Sequence, residues 1–207
     1  YGNISAFRCS EFSNINLIIG ENATGKTFLL KALYSAIRSM EDYKRGDDIR
    51  SMNEILAEKL RWTFQVEKLG DLVYRSSDDP LCFKVETDHE QNCMEYQFSQ
   101  STTTKVVNVT APEAQKEGNS IFIPAKAVLS LFSVIFNSIE VDMSFGFDDT
   151  YYDLVIALRT SPSIAINYNA FSIDRKILNV VLSGKVYYVD DSGKWNYIDE
   201  KNEKFDI

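Results

Sequence analysis

The chain has 207 residues, of which 44% are hydrophobic and 25% charged, and a formal charge of −8. That balance excludes a disordered chain and a surface that binds nucleic acid nonspecifically over its whole extent, although a local basic patch would survive such an average. Apolar runs such as residues 154–158 fall far short of the ~20 residues a bilayer needs, no charged-then-apolar leader opens the chain, and three cysteines without CxxC spacing beside a single histidine, His89, make no zinc pattern. The expectation is a cytoplasmic protein with no membrane segment and reduced cysteines (Cys9, Cys82, Cys93) serving as packing residues.

Residues 3–12 mix apolar and polar side chains as a half-buried strand does, and Ser13-Asn14 supply turn chemistry. Ile15-Asn16-Leu17-Ile18-Ile19 is a nearly continuous apolar run that suits a strand buried on both faces. A glycine-containing loop follows, and then Leu29, Leu33, Ile37 and Met40 recur at three- and four-residue steps, predicting an amphipathic helix over 28–40. Residues 41–50 read as a solvated charged linker, and a second helix is predicted from Met52 to about Leu60. Segments 81–87, 93–99 and 104–109 are short, aromatic or β-branched and partly alternating, which predicts an antiparallel meander. Residues 120–124 read as a compact strand and 125–135 as a helix. Asp148-Asp149-Thr150 can cap a helix through Arg159, residues 171–182 are a further helix candidate, and 185–198 reads as a hairpin around Asp191-Ser192-Gly193.

The loop after the apolar run is Gly20-Glu21-Asn22-Ala23-Thr24-Gly25-Lys26-Thr27, which satisfies GxxxxGK[ST] at every fixed position between a predicted strand and a predicted helix. Glycines at both fixed positions let successive N–H groups curl around an anion, while the helix N-terminus adds partial positive charge. Lys26 is placed to reach the β- and γ-phosphates and the Thr27 hydroxyl to ligate Mg²⁺, with Glu21, Asn22, Ala23, Thr24 and Phe28 lining the cradle. The alternative is a glycine turn that joins strand to helix by chance.

With Asn22 in the loop, the chain resembles ATP-binding-cassette type ATPases of the SMC and RecF kind, whose loop commonly reads G-x-N-G-x-G-K-[ST]; Ala23 stands where their glycine is usual. More narrowly it is similar to bacterial AAA-family ATPases of the abortive-infection and OLD-type phage-defence group. That resemblance is carried by 16–27, by 59–64 with 68–73, by 122–130, where relatives are expected to carry glutamate at the place of Ala127, and by 147–154. It implies an α/β fold, the N-terminal lobe of a cassette-type P-loop ATPase head with an antiparallel meander and added helices. The lobe is divided as 1–50 (strands, P-loop, helix), 51–120 (helix and meander), 121–183 (helical) and 184–207 (hairpin). Because Tyr1 opens inside or just before a strand, residues 1–207 are expected to be the N-terminal part of one head. The resemblance further implies ATP and Mg²⁺ as ligands, a homodimer or higher homo-oligomer joined through the heads, a nuclease or toxin effector as partner, and nucleic acid as a possible one.

Residues 186–191 and 195–200 each imitate a Walker B strand, and Leu182-Ser183-Gly184-Lys185 a signature loop. In the cassette fold a helix separates signature from Walker B, but 182–185 run directly into 186–191, and Asp190-Asp191 run into turn chemistry, so the hairpin is the better reading and no catalytic carboxylate is assigned. Lys126 follows the predicted strand ending at Pro124, near the place of the cassette glutamine loop, and either approaches the γ-phosphate or is a surface lysine. Arg8 either touches nucleotide or faces solvent. His89 reads as a loop residue, and Phe145, Phe147, Tyr151 and Tyr152 as core or subunit contact rather than a base-stacking surface. A nucleotide-gated scaffold with little hydrolysis is the rival function. A self-contained kinase or GTPase is disfavoured by the missing NKxD motif and the scattered arginines.

Overall fold

The computed structural model describes residues 4–76, 79–86, 93–124, 128, 131–140, 146–160, 184–189, 194–199, 201 and 203–206. The chain divides into two compact units, Tyr1–Phe122 and Ile123–Ile207.

In the first unit, α1 (Lys26–Asp42) buries Ala32, Ala36 and Met40 completely, a four-residue spacing that puts one stripe of the helix against the core. Helix α2 (Met52–Phe64) starts on a capping box: the Ser51 side chain accepts from the Glu54 backbone, and the Glu54 carboxylate accepts from the Ser51 N–H at 2.8 Å. Two otherwise unpaired groups at the helix start are thereby satisfied. The helix runs four residues past its predicted end and closes on Gln65 in the left-handed conformation. Leu56 and Leu60, one turn apart, are fully buried between α1 and the sheet side of the core; each contributes roughly 1.5–3 kcal/mol of apolar burial.

Strands β1 (Leu81–Glu86), β2 (Cys93–Phe98) and β3 (Asn108–Thr110) form the expected antiparallel meander in the order β1-β2-β3, with Leu81 opposite Phe98 and Tyr96 opposite Val109. Along β2, Met94, Tyr96 and Phe98 are buried while Glu95 and Gln97 are exposed, the period-two pattern of a one-sided sheet. The third strand lies a few residues beyond the predicted 104–109. A single 3-10 turn, Leu69–Leu72, was not anticipated; it buries Leu69 and Leu72 and is tied by its N–H groups to Thr102 and Thr103.

Three expectations fail here. No strand forms over 4–12 or 15–19: Ile15, Leu17 and Ile19 are 90%, 82% and 82% exposed, the opposite of a strand buried on both faces. Hydrophobicity called for cover, and among the described residues no strand pairs with this run. Nor is 120–124 a strand, with Ile123 mostly exposed. The third is the solvated reading of Glu41. Its side chain is 1% exposed, accepting from the Ser120 N–H (2.8 Å) and Ser120 hydroxyl (2.7 Å) and pairing with Lys116 (3.4 Å) and Arg38 (3.5 Å). A carboxylate is tolerated in such a place only because donors surround it.

In the rest of that linker Tyr43 packs against the core and residues 44–47, 49 and 50 are exposed. Arg50 beside Asp48 holds the Asp48 carboxyl down at about 2 from an ordinary 3.8, first through side-chain hydrogen bonds and then through its backbone N–H. A lowered folded-state value means that the stabilisation is complete above the unfolded value and is lost as pH falls toward about 2. We expect a carboxyl-carbon NMR titration of Asp48 to show its midpoint well below the other exposed aspartates, and Arg50→Ala to raise it part of the way back, since the backbone N–H of residue 50 still donates to the carboxylate.

In the second unit, α3 (Phe132–Glu140) lies later than the predicted 125–135, of which 125–127, 129 and 130 fall outside the described residues. Helix α4 (Asp149–Thr160) matches its expected span, with the Asp148 carboxylate accepting from the Thr150 N–H at 3.0 Å as a cap. Phe132, Ile135, Val155 and Trp195 form the core, with Phe147 and Tyr151 packed against it and in edge-to-face contact. Phe147 and Tyr151 are thus packed on the core, whereas Tyr152 is half-buried and donates its hydroxyl to the Glu140 carboxylate, and Phe145 lies outside the described residues. Strands β4 (Gly184–Val189) and β5 (Lys194–Asp199) pair antiparallel with Val189 opposite Lys194, as the hairpin reading requires, and β6 (Lys204–Asp206) adds an unforeseen third strand. The helix candidate 171–182 lies outside the described residues. Cys9 and Cys82 are exposed and free, so they are not the packing residues expected. No helix among the described residues is long and apolar enough to cross a membrane.

Candidate functional site

The loop Gly20–Thr27 turns directly into α1. Gly25 is the helix N-cap at φ 93°, a left-handed conformation, and a Cβ there would sit 2.7 Å from Ile4 Cγ1. The fixed glycine of the motif is therefore required on both counts. Ala23 is also left-handed, at φ 63°. The position keeps the conformation that glycine would take freely, at a cost of roughly 1–2 kcal/mol for a residue with a Cβ.

The first helical bond of α1 runs from the Leu29 N–H to the Gly25 carbonyl at 2.9 Å. The N–H groups ahead of it have no intrahelical acceptor and carry the positive end of the helix dipole. No acidic residue lies in the first turn to offset that charge. Lys26 adds a full charge at the same place. Its side chain folds back over the loop, and Nζ donates to the Gly20 carbonyl at 2.7 Å and the Glu21 carbonyl at 2.5 Å. Thr24 Oγ1 donates to that same Glu21 carbonyl at 2.9 Å. The loop thus concentrates a cation, a dipole end and glycine-permitted backbone within a few residues, with Glu21, Asn22, Ala23 and Thr24 exposed.

Thr27 is exposed in the first helical turn, where a hydroxyl is accessible to an ion bound at the loop, and Phe28 leans on Phe64 at 5.3 Å between ring centroids. Phe28 therefore serves partly to seat the start of α1 against the end of α2. Arg8 is exposed in irregular chain ahead of the loop, and nothing among the described residues brings it into the Gly20–Thr27 contacts. Lys126, Ala127 and His89 lie outside the described residues. No group of three or more His, Cys, Asp or Glu side chains among the described residues is arranged to hold a metal ion.

The motif positions were read from sequence because the motif is local. Thr24 was expected only to line the loop; its bond to the Glu21 carbonyl has no sequence signature beyond a Thr three residues after its acceptor. Glu41, at the other end of the same helix, was missed for a different reason: its partners Lys116 and Ser120 are distant in sequence. No protein-family model, curated protein or solved structure matches the chain.

Proposed function

We propose that the chain binds ATP with Mg²⁺ at Gly20–Thr27 and belongs to the head of a cassette-type ATPase. In this reading the head works in phage defence or DNA maintenance, controlling a nuclease or toxin effector through ATP-dependent association of heads. The observation that carries the nucleotide reading is Lys26, with its ammonium held over a loop whose Gly25 is left-handed and leads straight into a helix with no acidic first turn. An anion of high charge density is the ligand such a place favours. The Thr27 hydroxyl is available as a protein ligand to Mg²⁺, with phosphate oxygens and water completing the shell, the usual way Mg²⁺ is held. Bound Mg²⁺ would offset the charge of the phosphates.

A second reading, a nucleotide-gated scaffold with little turnover, has its own observation. The two segments that imitate a Walker B strand are β4 and β5, paired antiparallel in a three-stranded sheet, so neither reads as the strand that would bring a catalytic carboxylate to the loop. The effector, the oligomeric assembly and any nucleic-acid partner rest on the sequence resemblance.

Calorimetric titration with ATP in the presence of Mg²⁺ is expected to give saturable binding that Lys26→Ala weakens by at least about tenfold, the loss of one charge-assisted contact to phosphate. Absence of saturable binding at millimolar ATP would overturn the nucleotide reading. Parallel turnover assays decide between the two functions: hydrolysis lost in Lys26→Ala supports the ATPase, and binding without Lys26-dependent turnover supports the scaffold.

A further inference from the structure

We infer that residues 113–122 form a detachable strap latched by Glu41, and that its release lengthens the tether between the two units. The inference goes beyond the nucleotide reading and does not depend on it. Just past the end of α1, Lys44 Nζ donates to the Glu113 carbonyl at 2.9 Å. The Lys116 N–H then donates to the Met40 carbonyl at 3.1 Å, Arg38 to the Asn119 side-chain oxygen at 2.6 Å, and the Phe122 ring meets that of Tyr34 edge-on with centroids 5.8 Å apart. As the strap advances its partners step back along the helix, so it runs antiparallel to α1. Midway it bends over Glu41, whose carboxylate accepts from the Ser120 N–H, the Ser120 hydroxyl and the Lys116 ammonium at 2.8, 2.7 and 3.4 Å. The Gln115 amide takes the Glu41 carbonyl at 2.7 Å.

Three properties make the strap separable from the core. It contains no helix or strand, and Glu113, Ala114, residues 117–119 and Ile121 are exposed, so beyond the half-buried Phe122 ring it is held by polar bonds. Most of those bonds meet at Glu41 and are therefore lost together. The same carboxylate lowers the cost of opening: when the strap is closed it is 1% exposed and has given up its hydration, which opening restores. A segment held in this way opens at a lower free energy than the packed core. Gly118 completes the closed fit. It lies at φ 152°, and a Cβ there would stand 2.6 Å from Glu41 Oε1 and 3.2 Å from Lys116 Nζ, so the strap closes over the carboxylate only with a bare Cα at this position. The first unit ends at Phe122 and the second begins at Ile123. Releasing 113–122 therefore adds up to about 33–36 Å of chain between the units.

Amide hydrogen exchange of the full chain, followed by NMR over a series of urea concentrations, tests the opening. The Lys116 and Ser120 N–H groups are expected to exchange at least about tenfold faster than those of Leu56 and Leu60 in α2, with one shared urea dependence that is shallower than theirs. Gly118→Ala, at an exposed position that leaves both N–H acceptors in place, should raise the two strap rates by the same factor of about ten. Exchange of the strap amides at the rate and urea slope of α2, or at the rate of an unprotected chain, would overturn the inference. Unequal factors for Lys116 and Ser120 would do the same, since the strap would not open as one piece. Limited proteolysis extends the test to the tether: cleavage by trypsin after Lys116 and by chymotrypsin after Phe122 should both accelerate in Gly118→Ala, by a similar factor. Acceleration after Lys116 alone would leave Phe122 attached and overturn the lengthened tether. None of these results depends on whether the chain binds nucleotide.

Discussion

Gly70→Ala is expected to destabilise the first unit by about 3 kcal/mol, the upper end of what buried overpacking usually costs. A Cβ at this position would lie 2.1 Å from the Gln100 carbonyl oxygen, 2.7 Å from its carbon and 3.0 Å from the Thr102 oxygen, and all three atoms are backbone. No rotamer change relieves that contact. The 3-10 turn must back away from residues 100–103, and in doing so it gives up the bonds from the Gly70 N–H to Thr102 and from the Leu69 N–H to Thr103, at 2.9 and 2.8 Å. It also draws Leu69 and Leu72, both essentially inaccessible, out of the core they share with Leu60 and Phe98. The chain has two tryptophans, Trp62 in the first unit and Trp195 in the second. Urea unfolding followed through Trp62 in a Trp195→Phe background should show the midpoint fall.

The second large effect is at Glu41. Glu41→Ala removes the acceptor from the Ser120 N–H and hydroxyl, and from Lys116 and Arg38, whose side chains are 24% and 15% exposed. The two cations regain water more easily than the Ser120 N–H does, which keeps the cost below that of an isolated buried charge, at about 2–4 kcal/mol. Glu41→Gln keeps an oxygen for Ser120 and loses only the charge, so about half of that loss is expected. Denaturation with the same tryptophan probe measures both. A cost for Glu41→Ala within about 0.5 kcal/mol of zero would show that the buried carboxylate is no anchor.

These two sites mark the limit of what the sequence could tell. The turn of Gly20–Thr27 into α1 was legible because its pattern lies within eight residues, and the left-handed Gly25 stands at the fixed glycine, whereas the strand expected before the loop does not form. Helix α1 was legible from the spacing of its apolar residues, and β2 from the alternation of Met94, Tyr96 and Phe98 with polar neighbours. Gly70 carries no local signal, since its need for a bare Cα is set by the Gln100 carbonyl on a separate loop. Glu41 sits in a run of charges whose average reads as solvated, and only the return of the chain at Lys116 and Ser120 distinguishes it. The apolar run 15–19 misled in the opposite sense. Its hydrophobicity reports a demand for cover, and periodicity cannot say whether these 207 residues meet it.

Helix α1 has the mechanics of a cantilever. Its 17 residues span roughly 25 Å at 1.5 Å each. From Ala32 onward one face is clamped in the core, and the far end is bolted through Met40 and Glu41 to the chain at Gln115, Lys116 and Ser120. The first turn and a half projects from that clamp, braced by Phe28 on Phe64 and by Lys31 on the Thr63 carbonyl, and bears the loop at its tip. A load applied at the tip is carried as bending moment to a fulcrum near Ala32 and the end of α2. The stiffness felt by anything seated on the loop is therefore set at those braces, well away from the atoms it would touch.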